Sequence, residues 1–165
     1  MPEALSLPSN FRVVSGGQSG ADIAALDWAI ARRVDHGGWC PKGRRSEDGP
    51  IAAHYLLSET PLSNYLQRTE WNVRDSDATV IFTLTDVLDG GSKRTAQFAD
   101  KLHRPRLHFR PGVHPRFLAQ FLTRHKVTTL NVAGKRESSA PGIYRFVFDT
   151  LDQALAGDPA RSDSG

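Results

Sequence analysis

Cysteine is all but missing from this chain of 165 residues: Cys40 stands alone. One thiol cannot close an intrachain disulfide, and its scarcity fits a reducing compartment, so a cytoplasmic protein is expected. No run of about eighteen apolar residues occurs, which leaves no candidate membrane span. Met1 to Asn10 carries Glu3, two prolines and no basic side chain, unlike a secretory signal. The six histidines are scattered without H-x-x-x-H spacing and no C-x-x-C is present, so no protein-built metal site is expected. Ser15 and Ser19 lack the G-x-S-x-G elbow of a hydrolase nucleophile. A basic stripe with interleaved aromatics is also missing, which argues against nucleic acid as a partner.

The net charge is only +3, but its arrangement is informative. Lys42-Gly43-Arg44-Arg45, Lys93-Arg94 and Lys135-Arg136 are short basic clusters, each beside a glycine. Such clusters usually mark a solvated surface. Three of them beside three glycine turns fit a small anionic ligand better than a long polymer.

At this length one domain can bury about 70% of its unfolded surface. The ends, 1–10 and 157–165, are rich in Pro, Ser, Asp and Gly and read as disordered tails around a single domain over 11–156. Within it, Phe11 to Ser15 reads as a strand and Ser19 to Arg33 as a helix with an S-x-x-D start at Ser19 and Asp22. A short strand is predicted at 38–40. Pro41 to Pro61 is a long polar loop, a length usually functional or mobile, with a helical turn near 51–57. Helices follow at 66–75, 92–102, 115–125 and from 143. Strands are predicted at 78–84, 106–109 and 127–132. The run from Ala78 to Leu84 is apolar on both faces, as in a buried parallel strand. This alternation predicts an α/β fold with a mostly parallel sheet of about five strands, covered by helices on both faces. Ligands bind such sheets beyond the carboxyl ends of the strands. The glycine turns at 16–20, 90–92 and 134 all follow strands, so they are expected at one edge.

The first turn, Gly16-Gly17-Gln18-Ser19-Gly20, leads directly into a helix. The unpaired N–H groups and the positive dipole end of a helix start favour an anion. The G-G-x-x-G spacing matches neither the dinucleotide fingerprint nor a P-loop, and a plain tight turn remains open. The second turn, Gly90-Gly91-Ser92 with Lys93, Arg94 and Thr95, also opens a helix. The third, at Gly134, is followed by Arg136, a bidentate fork for phosphate or carboxylate, with Glu137 beside it. On the helix at 66–75, Arg68, Asn72 and Asp75 share a face. That face is either a site wall or a network pinning the helix to neighbouring loops. Cys40 reads as a small buried residue, although Lys42, Arg44 and Arg45 nearby could lower its pKa. A loop over 41–61 that closes on the ligand, with Lys42 and Arg44 reaching it, completes the expectation.

Four segments carry a family resemblance: S-G-G-Q-S-G-A-D at 15–22, G-G-W-C-P-K-G-R-R-S-E-D-G-P at 37–50, R-T-E-W-N-V-R-D-S-D-A-T at 68–79, and L-N-V-A-G-K-R-E-S at 130–138 with P-G-I-Y at 141–144. Together they resemble the molybdenum carrier family, a circularly permuted branch of the YpsA group, over about residues 11–155. The resemblance implies a Rossmann-like three-layer sandwich of the SLOG superfamily. It implies binding of a nucleotide or of molybdenum cofactor, and homo-oligomers. The related LOG enzymes hydrolyse the N-glycosidic bond of nucleoside monophosphates, using a helix arginine and a P-G-G-x-G-T-x-x-E turn. Arg68 is similar to that arginine, Gly90-Gly91 to the start of the turn, and Thr95 to its threonine. Phe98 falls where the glutamate belongs. Arg68, Glu70 and Glu137 are therefore the catalytic candidates under that alternative. A nucleic-acid-linked SLOG module is the third reading.

Overall fold

The computed structural model describes residues 4–156. In chain order the elements are β1 (Leu5–Ser6), β2 (Arg12–Val14), α1 (Ala21–Ala31), β3 (Asp35–Gly37), β4 (Trp39–Cys40), β5 (Ser58–Glu59) and α2 (Tyr65–Arg74). Then come β6 (Ala78–Phe82), α3 (Gly90–Lys101), β7 (Arg106–Phe109), α4 (Arg116–Arg124), β8 (Thr129–Gly134), α5 (Ile143–Ala154) and β9 (Leu155–Ala156).

Five strands form the main sheet in the order β3-β2-β8-β6-β7, and every pairing is parallel. All five residues of β6 are buried, the burial that its unbroken Ala-Thr-Val-Ile-Phe composition requires of a strand covered on both faces. Helix α1 packs on α5, which also meets α4, while α2 packs on α3. The fold is thus Rossmann-like and three-layered. Trp28 and Phe11 are fully buried in the core with Leu130 and Val147. Phe82, Phe109 and Phe146 form an aromatic cluster with ring centres 5.4–5.9 Å apart.

Three local expectations change. The strand read at 38–40 is Trp39–Cys40, which pairs with β5 outside the main sheet, and the edge strand of the main sheet is the unpredicted Asp35–Gly37. Gly38 makes the break, with φ of 125°, a backbone conformation that side chains strongly disfavour. No helix forms at 51–57: the segment holds a single turn, closed by Tyr55 N–H to Ala52 O at 3.2 Å, and is organised by Arg44. Part of the 1–10 tail is ordered, because Leu5–Ser6 pairs with Leu155–Ala156 and Leu7 is buried. The 157–165 tail and residues 1–3 lie outside the described residues.

The strand order positions the site. β2, β8 and β6 are adjacent and parallel, so the loops that leave their carboxyl ends emerge side by side.

Candidate functional site

A cleft of about 340 Å³ opens at that edge, near the low end for small-molecule sites. Gln18 and Asp22 enter it from the β2–α1 segment, Tyr65, Leu66, Arg68 and Thr69 from α2, and Gly90, Gly91, Ser92, Arg94 and Thr95 from α3. Ala133, Gly134, Lys135, Arg136 and Ser139 close it from the end of β8 and the loop after it. The turns at 90–92 and 134 therefore meet in one place, whereas the turn at 16–20 reaches it only through Gln18.

The two helix starts differ. At α1 the first N–H of the helix and two of its neighbours are taken within the protein. Gln18 N–H donates to Asp22 Oδ2 at 3.2 Å, Ala21 N–H to Lys135 O at 3.2 Å and Ile23 N–H to Gln18 O at 3.1 Å. Gly16 lies beneath Arg68, Gly17 beneath Ile51 and Leu57, and Gly20 against the backbone of residues 135–137. Ser19 is hydrogen-bonded to Glu47 and accepts from Glu137 N–H at 3.3 Å. Gly16, Gly17, Ser19 and Gly20 are packing residues at which other chain segments approach closely. None of them borders the cleft.

At α3 the start is open. Among the described residues, neither Gly90 N–H nor Gly91 N–H has a hydrogen-bond acceptor, and Asp89 makes no side-chain cap. Gly90 and Gly91 are exposed, and no atom lies within 4 Å of where a Gly91 side chain would begin. Thr95 borders the cleft but donates its hydroxyl to Gly91 O at 2.9 Å.

Three buried side-chain atoms lack a partner among the described residues: Gln18 Oε1, Arg68 Nε and Ser92 Oγ. All three belong to cleft residues. Gln18 is 2% exposed and Ser92 3%. An unpartnered buried polar atom costs about 1–3 kcal/mol, so three around one cavity need an explanation outside the fold.

The electrostatics favour an anion. The lining carries Arg68, Arg94, Lys135 and Arg136 against one carboxylate, Asp22. Arg68 Nη1 lies 3.3 Å from Asp22 Oδ2, with side-chain exposures of 15% and 4%. Burial pushes the Asp22 carboxyl above its usual range, against the pull of Arg68, and burial likewise lowers the Arg68 guanidinium. Lys135 pairs with Asp89 across the cleft rim. No carboxylate among the described residues pairs with Arg94 or Arg136. The Arg136 guanidinium rests 4.6 Å from the Tyr65 ring centre, with Arg45 and Arg68 at 5.5 and 5.7 Å.

Other candidates lie elsewhere. Arg44 donates to the carbonyls of Ile51, Leu57, Ala52 and Tyr55, which shapes the 41–61 loop. Lys42 is exposed on that loop, and no residue of 41–61 lines the cleft. Glu47 holds the loop down by accepting from Ser19 and Ser138. Asn72 accepts from Trp39 N–H at 2.8 Å and donates to Trp39 O at 2.9 Å, while Asp75 accepts from the Trp39 indole. The polar face of α2 is therefore split, with Asn72 and Asp75 pinning β4 and Arg68 turning into the cleft. Glu70 lies 3.9 Å from Lys101. Glu137 accepts from Gly142 N–H at 2.6 Å and Tyr144 N–H at 2.9 Å, capping α5. Cys40 is buried, which pushes its thiol up rather than down. Among the described residues, no group of three or more His, Cys, Asp or Glu side chains could hold a metal ion. No described helix is long and apolar enough to cross a membrane.

Asp22, Tyr65, Leu66, Ala133 and Ser139 are wall residues that went unread in the sequence. Asp22 was visible only as a helix-start signal. Tyr65 had no signal beyond its place one turn before Arg68.

Fold and cleft together define a Rossmann-like α/β protein with a basic cleft at the carboxyl edge of its sheet. The circularly permutated YpsA SLOG family model matches residues 13–155, and the chain belongs to that family. It is also similar to the crystal structure of "Putative molybdenum carrier protein" from Syntrophus aciditrophicus SB. Identity is 41%, over 90% of this chain and 97% of that one, with a TM-score of 0.85. A second solved structure, (E)-4-hydroxy-3-methyl-but-2-enyl diphosphate reductase, shares 11% identity over 86% of this chain and 59% of that one. Its TM-score of 0.39 is too low to bear on function. No curated protein matches the chain.

Proposed function

We propose that this protein binds or carries a small anionic ligand of the phosphorylated nucleotide-like or molybdopterin type, molybdenum cofactor included. The observation that carries the reading is the open start of α3. Gly90 and Gly91 offer free N–H groups there, beside the buried unpartnered Ser92 hydroxyl. A helix start adds only about 0.3–1 kcal/mol when exposed. Arg94 and Arg136, unpaired by any described carboxylate, and Arg68 Nε supply the rest of the attraction for phosphate oxygens.

The chemistry of the cleft favours binding over LOG-type hydrolysis. Asp22 is the lone carboxylate among the lining residues, and it is engaged by Arg68 and Gln18. Glu70 and Glu137 have structural partners outside the cleft, and Phe98 cannot act as an acid. A homo-oligomer in the cytoplasm belongs to the same proposal. Its support is the family, the single cysteine, and the exposed Leu62, ahead of α2, and Leu66, in its first turn.

Gly91→Val tests the site without disturbing the fold, because a side chain there meets nothing within 4 Å. Nucleoside monophosphates should raise the melting temperature of the wild-type protein without releasing free base, and Gly91→Val should abolish that rise. Equal stabilisation of both proteins would remove the α3 start from the site. Released base would replace the carrier with a hydrolase.

A further inference from the structure

We propose that the cleft recognises an organic phosphate or oxyanion ester carrying its own hydrogen-bond donor, an O–H or N–H delivered to Gln18 Oε1, and discriminates against bare oxyanions. This rests on the proposed anion site and narrows its ligand class.

The argument starts from the orientation of the Gln18 amide. Its Nε2 donates to Arg45 O at 2.9 Å and to Gly16 O at 3.4 Å. Turning the amide over would set its oxygen against two carbonyl oxygens, so the nitrogen is fixed on that side. Neither Gly16 nor Arg45 lines the cleft, whereas Gln18 does. The atom left over is Oε1, which is buried and without a donor.

The three orphaned atoms therefore make different demands. Arg68 Nε is a donor and needs an acceptor. Ser92 Oγ can donate to one. The free N–H groups of Gly90 and Gly91 ask for the same. Molybdate or a phosphate dianion satisfies all of these and fails Gln18, because an amide oxygen accepts and never donates. An oxyanion facing Gln18 Oε1 would add repulsion to the desolvation of that oxygen. A ligand with an anionic end for α3 and a hydroxyl or amine for Gln18 satisfies the whole set. Rejection by an unmet buried partner is the strongest form of small-molecule discrimination.

The test compares ligands at pH 8 by titration calorimetry on the intact protein. Methyl phosphate, with its second ionisation near about 6, then carries no O–H, and molybdate carries none either. Ribose 5-phosphate and AMP offer the same charge with donors added. AMP or ribose 5-phosphate should bind at least about tenfold more tightly than methyl phosphate or molybdate. Gln18→Met keeps the length of the side chain and removes the acceptor, together with the Nε2 donor to Arg45 O and Gly16 O. It should cut that preference about tenfold.

Molybdate or methyl phosphate binding as tightly as both donor-bearing ligands would overturn the inference and leave the anion site standing. So would a preference that survives Gln18→Met. Should that variant fail to fold, the ligand comparison on the wild-type protein decides alone. If none of the four probes binds, the anion site itself falls and this inference with it.

Discussion

Ser92 is placed so that one substitution should move stability and binding in opposite directions. Its hydroxyl is buried, lines the cleft and has no partner among the described residues. A buried hydroxyl without a hydrogen bond costs the folded state about 1–3 kcal/mol. Alanine removes that cost, and in a helix it adds a few tenths of a kcal/mol in propensity, roughly 0.5. Loss of one oxygen from the packing offsets part of this. The net expectation for Ser92→Ala without ligand is a gain of about 1 kcal/mol. For a domain of this size that corresponds to a rise of about 2–4 °C in Tm. With an anion bound, the same hydroxyl would make a charge-assisted hydrogen bond worth about 1.5–3 kcal/mol. Ser92→Ala should therefore weaken methyl phosphate or AMP by about tenfold or more. Urea denaturation measures the first effect and calorimetric titration the second. A variant less stable than wild type without ligand would mean that the hydroxyl has a structural partner. A variant that binds as well as wild type would mean that the ligand never reaches α3. Either result refutes the reasoning.

Two further substitutions probe residues assigned to the framework. Glu137 caps α5 through Gly142 N–H and Tyr144 N–H; Glu137→Ala should cost about 1–2 kcal/mol in denaturant titrations and leave AMP affinity unchanged, whereas lost binding at full stability would return it to the site. Asp77 Oδ2 accepts from Thr128 N–H, Thr129 N–H and the Thr128 hydroxyl at 2.9–3.0 Å. Burial works against its ionisation, but these hydrogen bonds together hold the carboxyl below its ordinary 3.8. With the folded pKa depressed, its contribution is fully present above pH 3.8 and lost as pH falls through the folded value. Asp77→Asn should lower stability at neutral pH and flatten the acid limb of the stability curve below about pH 4; parallel curves for variant and wild type would exclude this origin.

The main sheet was legible because its strands are written in composition. Ala78 to Phe82 is apolar or β-branched without interruption, and Thr129 to Val132 is broken only by Asn131, a composition that suits strands buried on both faces. Helical periods of apolar residues placed the helices between them. Short strands were less legible. Asp35–Gly37 carries no apolar alternation, and its place beside β2 depends on pairing with Arg12–Val14. β1 is two residues held by two others some 150 positions away, a contact no local pattern reports.

The site was half legible, for a reason visible in its two glycine turns. Both read alike in sequence: a strand, glycines, then a helix start. Only packing separates them. In the loop after β8, Lys135 O accepts from Ala21 N–H at the start of α1, and Arg68 with Ile51 and Leu57 covers Gly16 and Gly17. At α3 nothing comparable arrives, so the same chemistry remains free for a ligand. Lys42 and Arg44 show the converse. Their charge marked them as ligand contacts, yet Arg44 is committed to four carbonyls of its own loop.

The amino-acid sequence by itself determined the class of fold, the parallel sheet and the kinship, since those follow from periodicity, strand composition and long local motifs. It also determined that basic residues accompany the glycines at 43, 90–91 and 134. Tertiary structure decided which of those groups face a common cleft, because that depends on β2, β8 and β6 lying side by side. It also decided which backbone donors stay unspent. A hydrogen-bonding group is available to a ligand only when no other part of the chain reaches it first, and that is a property of the packed molecule.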